Sequence, residues 1–195
     1  LDEEAVADYA SRMVPDAIIC AQGTAGEVTD AEKIDLAQFR ECIMASVDAS
    51  AAIVKCFTPQ LKAAGSGSIV LFSSTAGLRG NALMPAYTAA KHAVIGLVRS
   101  YARELGPWGI RVNALLPGLV QSPMAASILD RLERRYDPSR PTLSELPPQS
   151  ADNIPLRRLG TLNDIANATH FLTSDASSFC SGVFLNVDGG ALVRY

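Results

Sequence analysis

Ser74, Tyr87 and Lys91 are the residues whose types and spacing suggest chemistry. A tyrosine with a lysine four residues on can pass a proton to or from a carbonyl oxygen, with a serine ahead of the pair to steer that oxygen. Residues four apart on a helix lie about 5–6 Å apart on one face, so the Lys91 ammonium can sit beside the Tyr87 phenol. A free phenol, with a pKa near 10, is too weak a base at neutral pH. Lowering it by ~2–3 takes roughly 3–4 kcal/mol of differential stabilisation, within reach of a partly buried site with one ammonium and one bound cofactor hydroxyl. Ser74 would then hydrogen-bond the substrate oxygen. Tyr87 would serve as general acid in reduction and as general base in oxidation. Lys91 lies within Ala89-Ala90-Lys91-His92-Ala93-Val94, a setting in which a charge needs a partner.

Alternating elements would position these groups. Four short apolar runs read as strands: Asp16–Ala21, Ser68–Ser73, Ile110–Leu116 and Val183–Val187. Helical patterns separate them at Glu3–Met13, Leu36–Ala63, Pro85–Leu105 and Leu162–Ser174, the last opened by Thr161-x-x-Asp164. Strands apolar on both faces and spaced by helices predict an α/β fold: a doubly wound parallel sheet with right-handed crossovers. The Pro85–Leu105 helix is apolar all round from Ala89 to Val98, which predicts burial on every side. A second subunit would cover one side, or the Leu36–Ala63 segment would. Residues Met124–Asn153 are Pro-rich, with a short helical stretch at Ile128–Tyr136. They read as a substrate loop or lid within one domain spanning 1–195.

Composition narrows the function. The chain has 195 residues, 48% hydrophobic and 19% charged, enough for one buried core. A net charge of -3 argues against a nucleic-acid partner. The Arg131, Arg134, Arg135 and Arg140 cluster, diluted by Asp130, Glu133 and Asp137, reads as a solvated helix face. Cys20, Cys42, Cys56 and Cys180 form no CxxC pair, and His92 and His170 have no metal-ligand spacing, so buried thiols and no metal site are expected. No apolar run approaches the ~20 residues that span a bilayer. The acidic opening Leu1-Asp2-Glu3-Glu4 is unlike a signal peptide, and a cytoplasmic location is expected.

Gly67-Ser68-Ile69-Val70-Leu71-Phe72-Ser73-Ser74-Thr75-Ala76-Gly77, followed by Tyr87-Thr88-Ala89-Ala90-Lys91, resembles the core of the short-chain dehydrogenases/reductases. Arg111-Val112-Asn113-Ala114-Leu115-Leu116-Pro117-Gly118, Pro155-Leu156-Arg157-Arg158-Leu159-Gly160 and Asp188-Gly189-Gly190 match it in the same order. The resemblance implies a Rossmann-type fold and an oxidoreductase using NAD or NADP on an alcohol/carbonyl pair. It casts Ser74, Tyr87 and Lys91 as catalytic. Gly23, Tyr87, Lys91, Pro117, Gly118, Val120 and Ser122 would contact the cofactor. It also implies a homo-oligomer, dimer or tetramer, built on the Leu36–Ala63 and Pro85–Leu105 helices.

The pattern departs from the family in three places. Leu1-Asp2-Glu3-Glu4 aligns just after the family's third strand, so the sheet is expected to lack its first strands and the glycine-rich turn that holds pyrophosphate. Cys20-Ala21-Gln22-Gly23 replaces a more polar turn, and Ser46 stands where the family has an asparagine supporting a proton-relay water. An enzyme continued beyond this sequence, or a truly short chain, both fit. So do an active oxidoreductase and a silent homologue serving as a scaffold subunit of a hetero-oligomer. NAD and NADP are not distinguished.

Overall fold

Four parallel strands pair in the order β1-β2-β3-β4: β1 (Ala17–Cys20), β2 (Gly67–Phe72), β3 (Ile110–Pro117) and β4 (Phe184–Val187). This computed structural model describes residues 2–137 and 147–193. The helices are α1 (Glu3–Ser11), α2 (Leu36–Ile43), α3 (Ala49–Ala64), α4 (Pro85–Leu105), α5 (Pro123–Arg134) and α6 (Leu162–Thr173). Strands and helices fall within a few residues of the expected bounds, with the exceptions below. Part of the expected lid, residues 138–146 with Arg140, lies outside the described residues.

The central strands β2 and β3 alternate their side chains between two cores. Ile69, Leu71, Val112, Ala114 and Leu116 face one side, against α1, α3 and α4. Val70, Leu115 and Leu185 face the other, where Leu172 and Ile165 of α6 meet them. The strand side chains Ile69, Val70, Leu71, Val112, Ala114, Leu115 and Leu116 are fully buried. Each large one contributes about 1.5–3 kcal/mol over exposure. Both faces are covered over β2 and β3, as their doubly apolar patterns predict; at β1 the face opposite α3 is open, and Ile19 is half exposed.

The crossovers correct one expectation. The strands advance in one direction across the sheet, and α3 and α4 cross one face, so their connections share a hand. The β3-to-β4 connection runs through α6 on the opposite face and has the opposite hand. The right-handed rule comes from a right-twisted strand feeding directly into a right-handed helix that packs back on the sheet. This one makes a long excursion through α5 and is not bound by it.

The segment expected as one helix from Leu36 to Ala63 is interrupted by a π turn at Met44–Asp48. Its inward residues Cys42, Ser46, Ser50 and Val54 step by four three times running. An α-helix would carry that row about 40° round its axis per step, and a wider i→i+5 turn takes up the drift. The same run, Leu36–Ala64, has a mean hydropathy of 1.3 over its most apolar window and meets the length and composition of a bilayer-crossing helix, contrary to expectation. Its buried residues Cys42, Val54, Phe57 and Leu61 pack in the cores beside α1, α4 and the sheet.

The α4 helix is not buried on every side. Val94, Ile95 and Val98 lie in the core, and α2 covers Ala86 and Ala90 through Cys42, whereas Ala89, Ala93 and Gly96 are exposed. Neither α2 nor α3 covers that last strip.

Candidate active site

The carboxyl ends of the parallel strands meet at a cavity of about 520 Å³. Ser74, Tyr87 and Lys91 all line it, with Gly23, Pro117, Gly118, Val120 and Ser122. Ser46 alone of the expected site residues does not reach the wall; it sits behind Gly23.

Local rules bring Ser74 to the rim. It follows the end of β2 and caps a short 3-10 turn, its hydroxyl accepting the Ala76 N–H at 3.2 Å. Gly77 closes that turn against α4. A Cβ there would stand 2.3 Å from Ser73 Oγ and 2.8 Å from the Lys91 carbonyl, so no larger residue fits. Ser73 Oγ in turn donates to the Lys91 carbonyl at 2.8 Å. The serine turn and the Tyr–Lys helix are thus locked together at Lys91 itself and at the residue before Ser74.

The buried Lys91 has found its partner, a backbone group. Its Nζ donates to the Phe72 carbonyl at 2.9 Å, at the end of β2, and lies 5.6 Å from the Tyr87 ring centroid. Burial brings the ammonium down to about 8, with the Cys42 thiol acting in the opposite sense. For the protein groups alone, burial pushes the Tyr87 phenol above its ordinary value of 10, the Ser74 hydroxyl pulls it down, and Cys42 adds to the rise. Lys91, drawn toward Phe72, does not offset that burial.

Gly23 adopts φ +155°, a conformation side chains rarely take. A Cβ there would come within 3.0 Å of Ser46 Oγ and 3.4 Å of Lys91 Nζ. Ser46 Oγ is buried in the π turn with no hydrogen-bond partner. Its carbonyl accepts Ser50 Oγ at 2.7 Å, and Ser50 accepts Gln22 Nε2 at 2.9 Å. Gln22 therefore restores polar anchorage to a turn that reads as depleted.

The opposite wall comes from β3 and the segment after it. Leu119 and Gln121 exchange backbone bonds with Gly160, and Val120 bridges to it, pinning this loop to the start of α6. The Thr161/Asp164 capping box and a bidentate Arg158–Asp164 pair hold that start, keeping the Asp164 carboxyl well below the usual range. Ser122 lines the cavity, but its hydroxyl caps α5 by accepting the Ala125 N–H at 3.2 Å.

Several residues escape the sequence reading. Met124, Ala125, Ile128, Leu129 and Leu132 give the cavity an apolar wall, and Met84, Arg79 and Asn81 line it too. The signal for α5 was present: Ser122-Pro123 is a helix start, and Ala125, Ile128, Leu129 and Leu132 recur at helical spacing. The expected solvated arginine face is also corrected. Arg131 donates to the Gly26 carbonyl at 2.7 Å and Arg135 pairs with Asp30, tying α5 to the loop after β1; Arg134 pairs with Asp130. Nothing in the sequence marks the Phe72 carbonyl, because every residue has one.

The four cysteines are free, with Cys20 and Cys42 buried and Cys20 pushed up to about 12 by burial. Among the described residues, no group of three or more His, Cys, Asp or Glu is arranged to hold a metal ion.

Residues 3–191 match the family described as enoyl-(acyl carrier protein) reductase. The chain is similar to a short-chain type dehydrogenase/reductase of Sinorhizobium fredii, 38% identical over 140 residues, 71% of this chain and 50% of that protein. It is similar to a trans-4-hydroxycyclohexanecarboxylate dehydrogenase of Sinomonas cyclohexanicum, 38% identical over 167 residues, 86% of this chain and 56% of that protein. The chain thus spans about half the length of the curated relatives it matches. A crystal structure of carveol dehydrogenase from Mycobacterium avium in complex with NAD superposes with TM-score 0.90 at 34% identity, covering 99% of this chain and 72% of that one.

Proposed function

The chain belongs to the short-chain dehydrogenase/reductase family, and on that footing we propose that it carries the proton-transfer site of an NAD(P)-dependent oxidoreductase interconverting an alcohol and a ketone or aldehyde. The observation that carries this reading is the convergence of Ser74, Tyr87 and Lys91 on one cavity, with the lysine buried and fixed.

The residues present fit the nicotinamide-ribose end of such a cofactor. Lys91 uses one donor on Phe72 and keeps two for ribose hydroxyls. Gly23 leaves open a space beside Lys91 and Ser46 that a Cβ would fill. Pro117, Gly118, Val120 and Ser122 would flank the ring. When bound, the nicotinamide supplies or accepts the hydride at the substrate carbon. In oxidation the carbinol carbon loses that hydride and its hydroxyl proton passes to Tyr87; in reduction both move back. Ser74 holds the substrate oxygen toward the phenol. The protonated phenol is ready as the acid that reduction requires, and oxidation requires its deprotonated form.

The test is turnover of NADH or NADPH by the purified protein with carbonyl substrates. Tyr87→Phe, which keeps the ring and deletes the acid, is expected to lower kcat by about 10²–10⁴-fold. Unchanged turnover in that variant would overturn the reading. Saturable nicotinamide binding without turnover in the parent protein would favour a silent scaffold homologue.

A further inference from the structure

The cavity holds more positive charge than proton transfer uses. Its lining includes two cations, Lys91 and Arg79, and no aspartate or glutamate. Lys91 is taken up by Phe72 and, in the reading above, by the ribose hydroxyls. Among the described residues, the Arg79 guanidinium has no hydrogen-bond or ion-pair partner. A cleft lined by one sign of charge concentrates ligands of the other.

The placement of Arg79 identifies which part of a ligand it meets. It follows Ser74 by one short turn and precedes the helix bearing Tyr87, so segment 78–84 connects the two groups that handle the substrate oxygen. Pro117, Gly118, Val120 and Ser122, placed above on the cofactor side, come instead from the end of β3 and the loop after it. Arg79 and Asn81 flank Gly80 and both reach the cavity. The segment is held firmly: Asn81 N–H bonds Thr88 Oγ1 at 3.3 Å, and the Leu83 carbonyl accepts Thr29 N–H at 2.9 Å. Leu83 has φ +64°, a left-handed conformation costly for leucine and kept only where surrounding contacts impose it. Facing this polar rim are Met84, Met124, Ile128, Leu129 and Leu132.

Resting on the oxidoreductase reading, we infer that the substrate is a small hydroxy or oxo carboxylic acid with an apolar body. Its carboxylate meets Arg79, with Asn81 beside it, and its carbinol or carbonyl carbon lies at Ser74 and Tyr87. Arginine suits this role because its planar fork matches a carboxylate with two parallel hydrogen bonds. The α5 side chains supply the apolar surface against which the body lies.

Calorimetric titration of the 195-residue chain with cyclohexanecarboxylate and with its neutral isostere cyclohexanecarboxamide tests the assignment. The carboxylate is expected to bind at least about tenfold more tightly, which corresponds to about 1.4 kcal/mol. Arg79→Ala should erase that preference by weakening the acid alone, and Arg79→Lys should keep part of it. Arg79 is exposed, so its variants should unfold at the parent temperature by circular dichroism. Equal affinity for the two probes, a preference that survives Arg79→Ala, or no binding of either would overturn the proposal. Tyr87→Phe should keep the carboxylate preference while losing turnover, so failure of the anion site and failure of the redox reading are seen separately.

Discussion

Lys91 and Tyr87 give this site a pH dependence whose sign follows from burial. The lysine drops from 10.5 to about 8 on folding, so between those values the unfolded chain binds a proton that the folded chain does not. Stability contributed at this position therefore rises as pH climbs from 8 to 10.5, by roughly 3 kcal/mol at 1.36 kcal/mol per pKa unit. Thermal unfolding of the parent and of Lys91→Met across that window should show the parent gaining on the variant; parallel curves would contradict the buried-ammonium picture. The phenol moves the other way. With Tyr87 held above 10, alcohol oxidation should be slow at neutral pH and accelerate as the solution becomes alkaline, whereas carbonyl reduction should be favoured near pH 7. Initial rates in both directions across a pH series check this. Spacing alone placed the two groups together but could not give the sign, because it says nothing of how much solvent each retains.

At the scale of elements, the site depends on close approaches that side chains larger than hydrogen would prevent. Gly77→Ala would drive a methyl into Ser73 Oγ, the Lys91 carbonyl and Ile95 Cδ1. Urea denaturation should show a loss of about 1–3 kcal/mol, the usual cost of overpacking. Asn113 shows that a family motif can be wholly architectural. Its Nδ2 donates to the Cys180 carbonyl at 2.8 Å and its Oδ1 accepts the Val183 N–H at 2.9 Å, fastening β4 beside β3. Arg111 likewise ends α6 by donating to the carbonyls of Leu172 and Ser174. Asn113→Ala removes the side-chain partner of two part-buried backbone groups and should cost about 1–3 kcal/mol in the same assay. The strands and α4 were legible from apolar runs and turn residues. The π turn was not, because its cause is the drift of an inward-facing row against a particular sheet.

For the whole molecule, α4 keeps an exposed strip of Ala89, Ala93 and Gly96, small enough for another helix to approach closely. We propose this strip as the contact of a dimer or tetramer. Light scattering coupled to size exclusion should report an oligomer for the parent and a smaller species for Ala93→Arg; a monomeric parent would refute it. The cavity is likewise a product of the assembled chain, since β2, α4, the end of β3 and α5 each contribute a wall. The tie from Arg135 to Asp30 spans residues remote in sequence and sets how closely α5 covers it.

The sequence by itself determined the strand–helix alternation, the parallel sheet, the family and the candidate Ser–Tyr–Lys set. Those depend on periodicity, turn chemistry and short spacings that are written locally. Only the tertiary structure decided the hand of the last crossover, the raised phenol, the Phe72 carbonyl as lysine partner, and Arg79 at the rim of an acid-free cavity. Burial and charge balance are sums over neighbours from distant segments, and folding alone brings those neighbours together.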